Sequence, residues 1–181
     1  MKQLSILVLS LLVSLSAMAS DYNVRHYGAK GDGVQLDHHA INAAIDSAVA
    51  HGGGTVTVPA GTYLCGSIHL KSNINLHLEP GAVIKATADK SAYDPSEAFN
   101  FPEYQDGGHT YFHNSLIWAE GQQNVCITGN GMIDGEGLTK KDTETAGNVQ
   151  GGSIGHADKA IALKLCKNVL IRDITIFRGG H

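Results

Sequence analysis

Asn73-Ile74-Asn75-Leu76, Asn124-Val125-Cys126-Ile127 and Asn168-Val169-Leu170-Ile171 are three versions of one pattern, an Asn set before a short aliphatic run. A second apolar stretch precedes each: Ser67-Ile68-His69-Leu70, Ser115-Leu116-Ile117-Trp118 and Ala160-Ile161-Ala162-Leu163. The Asn positions are 51 and 44 residues apart. Self-similarity at such a period marks stacked repeats, and the short β-branched runs within each copy make the repeat a β-coil.

Working back towards the N-terminus, Asp21 to Tyr27 is expected to form a short strand and Gly28-Ala29-Lys30-Gly31-Asp32-Gly33 a glycine-rich turn. Asp37 fits a helix N-cap, where a carboxylate accepts free N–H groups of the first turn. Ala40, Ile41, Ala44, Ile45, Ala48 and Val49 then give one apolar helical face over 38–50, ended by Gly52-Gly53-Gly54. A solenoid exposes its apolar interior at the first coil unless something covers it, so this helix is expected to be the N-terminal lid. Thr55 to Tyr63 alternates as a strand that leaves through a Pro-Ala-Gly turn, and Glu79-Pro80-Gly81 and Gly129-Asn130-Gly131 are further turns.

Two stretches break the rhythm. Ser91 to His113 carries Tyr93, Phe99, Phe101, Tyr104, Tyr111 and Phe112, and Glu136 to His156 is polar and glycine-rich. Insertions in repeat proteins often gather on one face, frequently the binding face. Beside one sheet of a parallel β-helix they would wall a groove for an extended polymer.

The chain has 181 residues, 43% hydrophobic and 17% charged, with 22 glycines and a net charge of −4, which fits one turn-rich globular domain. Its Lys and Arg residues are scattered, so a nucleic-acid partner is not expected. Lys2, the apolar run Leu4 to Leu15 and Ala17-Met18-Ala19 read as a secretory signal over 1–19. That apolar run is shorter than the roughly 20 residues of a membrane span. The expected product is therefore secreted or periplasmic, with no membrane anchor after cleavage and one domain over 20–181. Cys65, Cys126 and Cys166 lie in or beside strands and suit small buried hydrophobes. Their odd number allows at most one disulfide, and their spacing matches no metal site.

Tyr27-Gly28-Ala29-Lys30-Gly31-Asp32-Gly33, Gly52-Gly53-Gly54-Thr55-Val56 and Val58-Pro59-Ala60-Gly61-Thr62-Tyr63 resemble the opening of the pectate-lyase-like superfamily. Ile68 to Asn73, Leu76-His77-Leu78-Glu79-Pro80-Gly81-Ala82, Ile127 to Gly137 and Cys166 to Ile171 are similar to glycoside hydrolase family 28, the polygalacturonases and rhamnogalacturonan-cleaving enzymes. The resemblance implies an all-β fold, a right-handed single-stranded parallel β-helix with an N-terminal capping helix, here truncated at its C-terminal side. It also implies a secreted glycosidase that cleaves pectin-type polysaccharide with inversion, without metal or organic cofactor, and that is monomeric at full length. In such a reaction one carboxyl protonates the leaving oxygen while another activates water.

The family's Asn-Thr-Asp, Asp-Asp, Gly-His-Gly and Arg-x-Lys motifs do not occur here. No catalytic residue is therefore expected in this chain, which alone should be inactive. Asp32 belongs to a glycine turn, Asp37 to a cap and Asp134 to the turn after a strand. His38 and His39 should be exposed at the helix start, and His69 and His77 should face outward or be satisfied in packing. His109 and His113, at the end of the aromatic insertion, and Glu120, near a coil corner, are the candidates for substrate binding. The His109/His113 spacing lacks the Glu of a zinc-hydrolase motif, so no metal is assigned to it. A lyase of the same superfamily would need a calcium-binding acidic cluster that is not evident here. A non-catalytic glycan-binding β-helix is the remaining alternative.

Overall fold

A computed structural model describes residues 22–97, 112–138 and 159–179. In chain order its elements are β1 (Tyr22–Asn23), a 3-10 turn (Val24–Tyr27), β2 (Asp32–Leu36), α1 (His38–Ala50), β3 (Gly54–Val58), β4 (Gly61–Cys65) and β5 (Ile68–His69). There follow β6 (Ile74–Leu78), β7 (Ala82–Ala86), a 3-10 turn (Lys90–Ala92), β8 (Ser115–Glu120), β9 (Gln123–Gly129), β10 (Met132–Asp134), β11 (Lys159–Lys164), β12 (Lys167–Ile171) and β13 (Thr175–Phe177).

The strands form three sheets: β1-β3-β6-β9-β12 is sheet A, β2-β4-β7-β10-β13 is sheet B, and β5-β8-β11 is sheet C. Every pairing is parallel, and each strand's partner is its counterpart in the neighbouring coil. This is the expected parallel β-helix. Its core is built of aliphatic stacks, because alternation in each strand sends the same positions inward in every coil. Val56, Leu76, Ile127 and Ile171 form one stack, Tyr63, Ile84, Ile133 and Ile176 a second, and Ile68, Ile117 and Ile161 a third. Each fully buried aliphatic member contributes about 1.5–3 kcal/mol. In the last described coil the stacks emerge, with Ile171 40% and Ile176 49% exposed.

The three Asn residues that open the repeats are in register on one corner of the coil. Asn168 Nδ2 donates to Asn124 Oδ1 at 3.0 Å, and Asn124 Nδ2 donates to Asn73 Oδ1 at 2.8 Å. All three adopt the left-handed conformation, with φ of 63°, 56° and 52° along the chain, which Asn tolerates better than other side-chain-bearing residues. The first coil carries Gly53 at this corner, with φ 109°. A Cβ there would lie 2.4 Å from the Asn73 carbonyl oxygen, so glycine is required.

Helix α1 lies over the first coil and buries Ile41, Ala44, Ile45 and Ala48. It also satisfies the free edge of sheet C: Asn42 Oδ1 accepts from His69 N at 2.8 Å, and Asn42 Nδ2 donates to Ser67 O at 3.0 Å. The capping helix read from sequence is thus in place, with three corrections. Asp37 precedes the helix but makes no side-chain cap; its buried carboxylate accepts from Lys30 N and Gly31 N at 2.7 and 2.9 Å and so ties down the glycine turn. His38, expected to be exposed, is buried. The strand expected over 21–27 is only Tyr22–Asn23, and β2 begins within the expected turn, at Asp32.

Cys65, Cys126 and Cys166 are free thiols, Cys65 fully buried and the others half-buried. The Cys166 thiol points at the carbonyl oxygens of Lys164 and Ala119.

Candidate functional site

Both insertions leave the coil at the same corner. The segment 87–114 runs from β7 to β8 and 135–158 from β10 to β11, each joining sheet B to sheet C. Side chains on the outer faces of these two sheets therefore lie on either side of the corner from which the insertions depart. Two polar clusters stand there, one on each sheet.

On sheet C the outward residues are His69, Trp118, Glu120 and Lys164, with His69 in register with Trp118 and Glu120 with Lys164. The ends of the first insertion fold onto them. Asp94 Oδ2 is 2.6 Å from His69 Nε2 and accepts from Trp118 Nε1 at 2.7 Å. The His113 ring stacks on Trp118 at 4.0 Å between centroids, and its Nε2 lies 2.7 Å from Glu120 Oε2. Lys164 Nζ reaches the other Glu120 oxygen at 3.1 Å. Glu97 accepts from the backbone N–H of Phe112 at 2.9 Å and of His113 at 3.0 Å, closing the neck of the insertion. Two of the residues singled out in the sequence, His113 and Glu120, are thereby brought into contact, with side chains 26% and 32% exposed. His109 lies outside the described residues.

Charge on this cluster is well compensated. Burial raises the carboxyls of Asp94 and Glu97, but this is outweighed by hydrogen bonds, from His69 and Trp118 to Asp94 and from the His113 and Phe112 amides to Glu97. Both end below the ordinary carboxylate range. Lys164 and then His113 hold Glu120 low as well.

On sheet B the outward row is Leu64, Lys85, Asp134 and Phe177. Asp134 shapes the turn after β10 as expected, accepting from Glu136 N at 3.1 Å. It does more: Arg178 Nε donates to Asp134 Oδ1 at 2.8 Å and the same guanidinium reaches Oδ2, tying adjacent coils. Arg178 Nη1 also lies 3.0 Å from Glu136 Oε1, whose other oxygen pairs with Lys85. Glu136 thus bridges two cations, and Lys85 and then Arg178 hold its carboxyl below the usual range. The Arg178 guanidinium sits 4.7 Å from the Phe177 ring centre. Sequence reading passed over Lys85, Arg178, Asp94, Glu97 and Lys164. One signal was present for Arg178, since it follows Asp134 by 44 residues, the step between Asn124 and Asn168.

Among the described residues, every carboxyl displaced from its ordinary pKa is displaced downward: Asp32, Asp89, Asp94, Glu97, Glu120 and Glu136. A glycosidase's general acid needs the opposite shift, to stay protonated at the working pH.

The family model described as rhamnogalacturonase A/epimerase, pectate lyase-like matches residues 22–177. The chain belongs to this family. The chain is 32% identical over 127 residues to the exo-poly-alpha-D-galacturonosidase of Dickeya chrysanthemi, covering 67% of this chain and 20% of that protein. It is 50% identical over 64 residues to the mannuronan C5-epimerase AlgE2 of Azotobacter vinelandii, covering 31% of this chain and 6% of that one. Among solved structures, a hyperthermoactive exopolygalacturonase from Thermotoga maritima superposes with a TM-score of 0.69 at 27% identity, over 87% of this chain and 41% of that one. The likeness to family 28 polygalacturonases read from the motifs is borne out, as is the right-handed parallel β-helix. The chain spans well under half the length of these relatives.

Proposed function

We propose that this chain is the N-terminal part of an exported glycosidase that holds a uronic-acid polymer along the outer face of sheet C and cleaves pectin-type galacturonan or rhamnogalacturonan with inversion. The carrying observation is that both insertions depart from the same corner, so that they can wall one groove beside stacked, parallel strands. What the relatives are named for supports this class of polymer. Galacturonan and mannuronan differ in sugar but both carry a carboxylate on every residue.

Inversion requires an acid and a base about 6.5–9.5 Å apart. Strands stacked at about 4.8 Å place residues on neighbouring or next-but-one coils at that separation. Asp94, Glu97, Glu120 and Glu136 do not suit the acid, because each is held below its ordinary range and is occupied by structural partners; the family's carboxylate motifs are absent from the chain. We therefore assign acid and base to residues other than the described ones, and assign polymer binding to the coils described. His113 and Glu120 serve binding from the foot of the first insertion, whose neck they help fix; His109 belongs to the same insertion. The leader-like segment 1–19 supports export to the periplasm or medium.

The test is to incubate the 181-residue chain with polygalacturonate and rhamnogalacturonan and assay released reducing ends alongside binding. The proposal predicts binding without turnover. Robust hydrolysis abolished by a single Asp or Glu substitution among the described residues would contradict it.

A further inference from the structure

Asn130-Gly131 is the one Asn-Gly pair in the chain, and it forms the turn from β9 to β10. The turn is held from both sides. Asn130 N donates to Leu78 O of the preceding coil at 3.0 Å, and Gly131 O accepts from Thr175 N of the following coil at 3.0 Å. Packing sets the glycine, because a Cβ at 131 would lie 2.7 Å from both Ala82 O and Leu78 Cβ. Between these anchors two groups are left over. The exposed Asn130 side chain makes no hydrogen bond to a described residue, and the Gly131 N–H has no acceptor among them.

The other described asparagines are placed differently. Asn73, Asn124 and Asn168 bond one another along the ladder. Asn42 bonds Ser67 and His69, Asn75 bonds Thr55 and Thr128, and Asn23 accepts from Arg25 N. Asn114 is buried. Each of these is followed by a residue with a side chain, most often Val, Ile or Leu, which crowds the next backbone nitrogen.

We propose that Asn130 is a site of spontaneous deamidation through a cyclic imide, with water as the only co-reactant. Gly131 N gives its proton to solvent base and attacks Asn130 Cγ. The new C–N bond closes a succinimide ring, and the side-chain nitrogen takes a proton from solvent and leaves as ammonia. Water then opens the ring at either carbonyl. Breaking the bond from nitrogen to Cγ leaves aspartate; breaking the bond to the main-chain carbonyl carbon leaves isoaspartate, whose main chain runs through the side-chain methylene. A missing Cβ at 131 is what leaves the attacking nitrogen unhindered. Coil packing demands the same missing Cβ, so the glycine that lets adjacent coils approach also opens this peptide to the reaction.

The product alters the coil. In the coils on either side the same corner, between sheets A and B, carries Glu79 and Asp173. Either product adds a carboxylate between them, and like charges repel. Isoaspartate also lengthens the main chain between two fixed hydrogen bonds, which loosens the register of β10 on its neighbours.

The experiment holds the full folded chain in mildly alkaline buffer and maps its peptides by mass spectrometry over time, for wild type and Asn130→Ser. Asn130 should lose its amide on the order of tenfold faster than any other described asparagine, because it alone precedes an unhindered nitrogen. Both aspartyl and isoaspartyl peptides should be recovered, and acidic charge variants should accumulate more slowly in Asn130→Ser. Conversion at Asn130 only after unfolding in denaturant, aspartyl product alone, or equal accumulation of acidic variants in the two chains would overturn the proposal.

Discussion

Nε2 of His113 lies 2.7 Å from Oε2 of Glu120, a bond that fastens the exit of the first insertion to the middle strand of sheet C. The same carboxylate passes the connection to the next coil through Lys164, while Asp94 joins the entrance of the insertion to His69 and Trp118. Entrance and exit are further closed on each other by Glu97.

Asp94→Asn should weaken this anchor at neutral pH by about 1.5–3 kcal/mol, the usual worth of hydrogen bonds to a charged acceptor. Trp118 is the one tryptophan in the chain, so its emission reports the change directly. In wild type the Asp94 carboxyl lies below its ordinary value of 3.8. Its contribution to stability is therefore complete above pH 3.8 and is lost as pH falls through the lower folded value. Denaturant melts followed by tryptophan fluorescence should show a steeper acid limb in wild type than in the variant, which keeps the contributions of the other lowered carboxyls.

His38 provides a second, milder acid limb. Burial, helped by His39, lowers its pKa from 6.5 to about 4, and its Nδ1 has no hydrogen-bond partner. The unfolded chain thus binds a proton that the folded chain refuses between these values, and stability falls as pH drops from 6.5 towards 4. The expected loss between pH 7.5 and pH 5 is about 1–2 kcal/mol. Urea melts of His38→Leu at the two pH values should show that difference reduced.

The Asn ladder predicts an ordering of two substitutions. Asn124→Ala removes hydrogen bonds to both neighbours and places a Cβ-bearing residue at φ 56° without the local bonding that helps Asn there. It should cost about 2 kcal/mol, and Asn124→Gly about 1 kcal/mol, because glycine escapes the backbone penalty. Urea midpoints compared at constant m-value test the order.

Leu165 is a site where substitution should stabilise. It is 76% exposed at φ 55° and takes the place that Gly121 holds in the preceding coil. A bulky side chain in the left-handed region carries strain of about 1 kcal/mol, with no burial here to offset it. Leu165→Gly should recover roughly that amount, less the entropy a glycine adds to the unfolded chain. Equal or lower stability in thermal melts would count against the strain.

The coils were legible because their signal is repeated. An Asn at one corner and alternating aliphatics on the strands recur at the coil period, and each copy reinforces the others. The lid helix was legible from its small apolar face for the same reason that it works as a lid. Asp37 misled because a helix start is a local pattern, whereas its carboxylate answers to the amides of Lys30 and Gly31 in the preceding turn. His38 misled because its burial depends on what packs against the first turn of α1. The sheet B cluster was hidden because Lys85, Asp134 and Arg178 share no local motif and meet only through coil stacking. His113 and Glu120 were legible as polar residues at the rim of an insertion, but their mutual contact depends on where the neck closes.

The central claim is that a uronate polymer lies along the outer face of sheet C. Amide hydrogen exchange of the chain with and without saturating oligogalacturonate tests it most directly. The account predicts added protection in β5, β8, β11 and the turns that follow them, with sheet A unchanged. Protection concentrated on sheet A, or no protection anywhere at saturation, would contradict it.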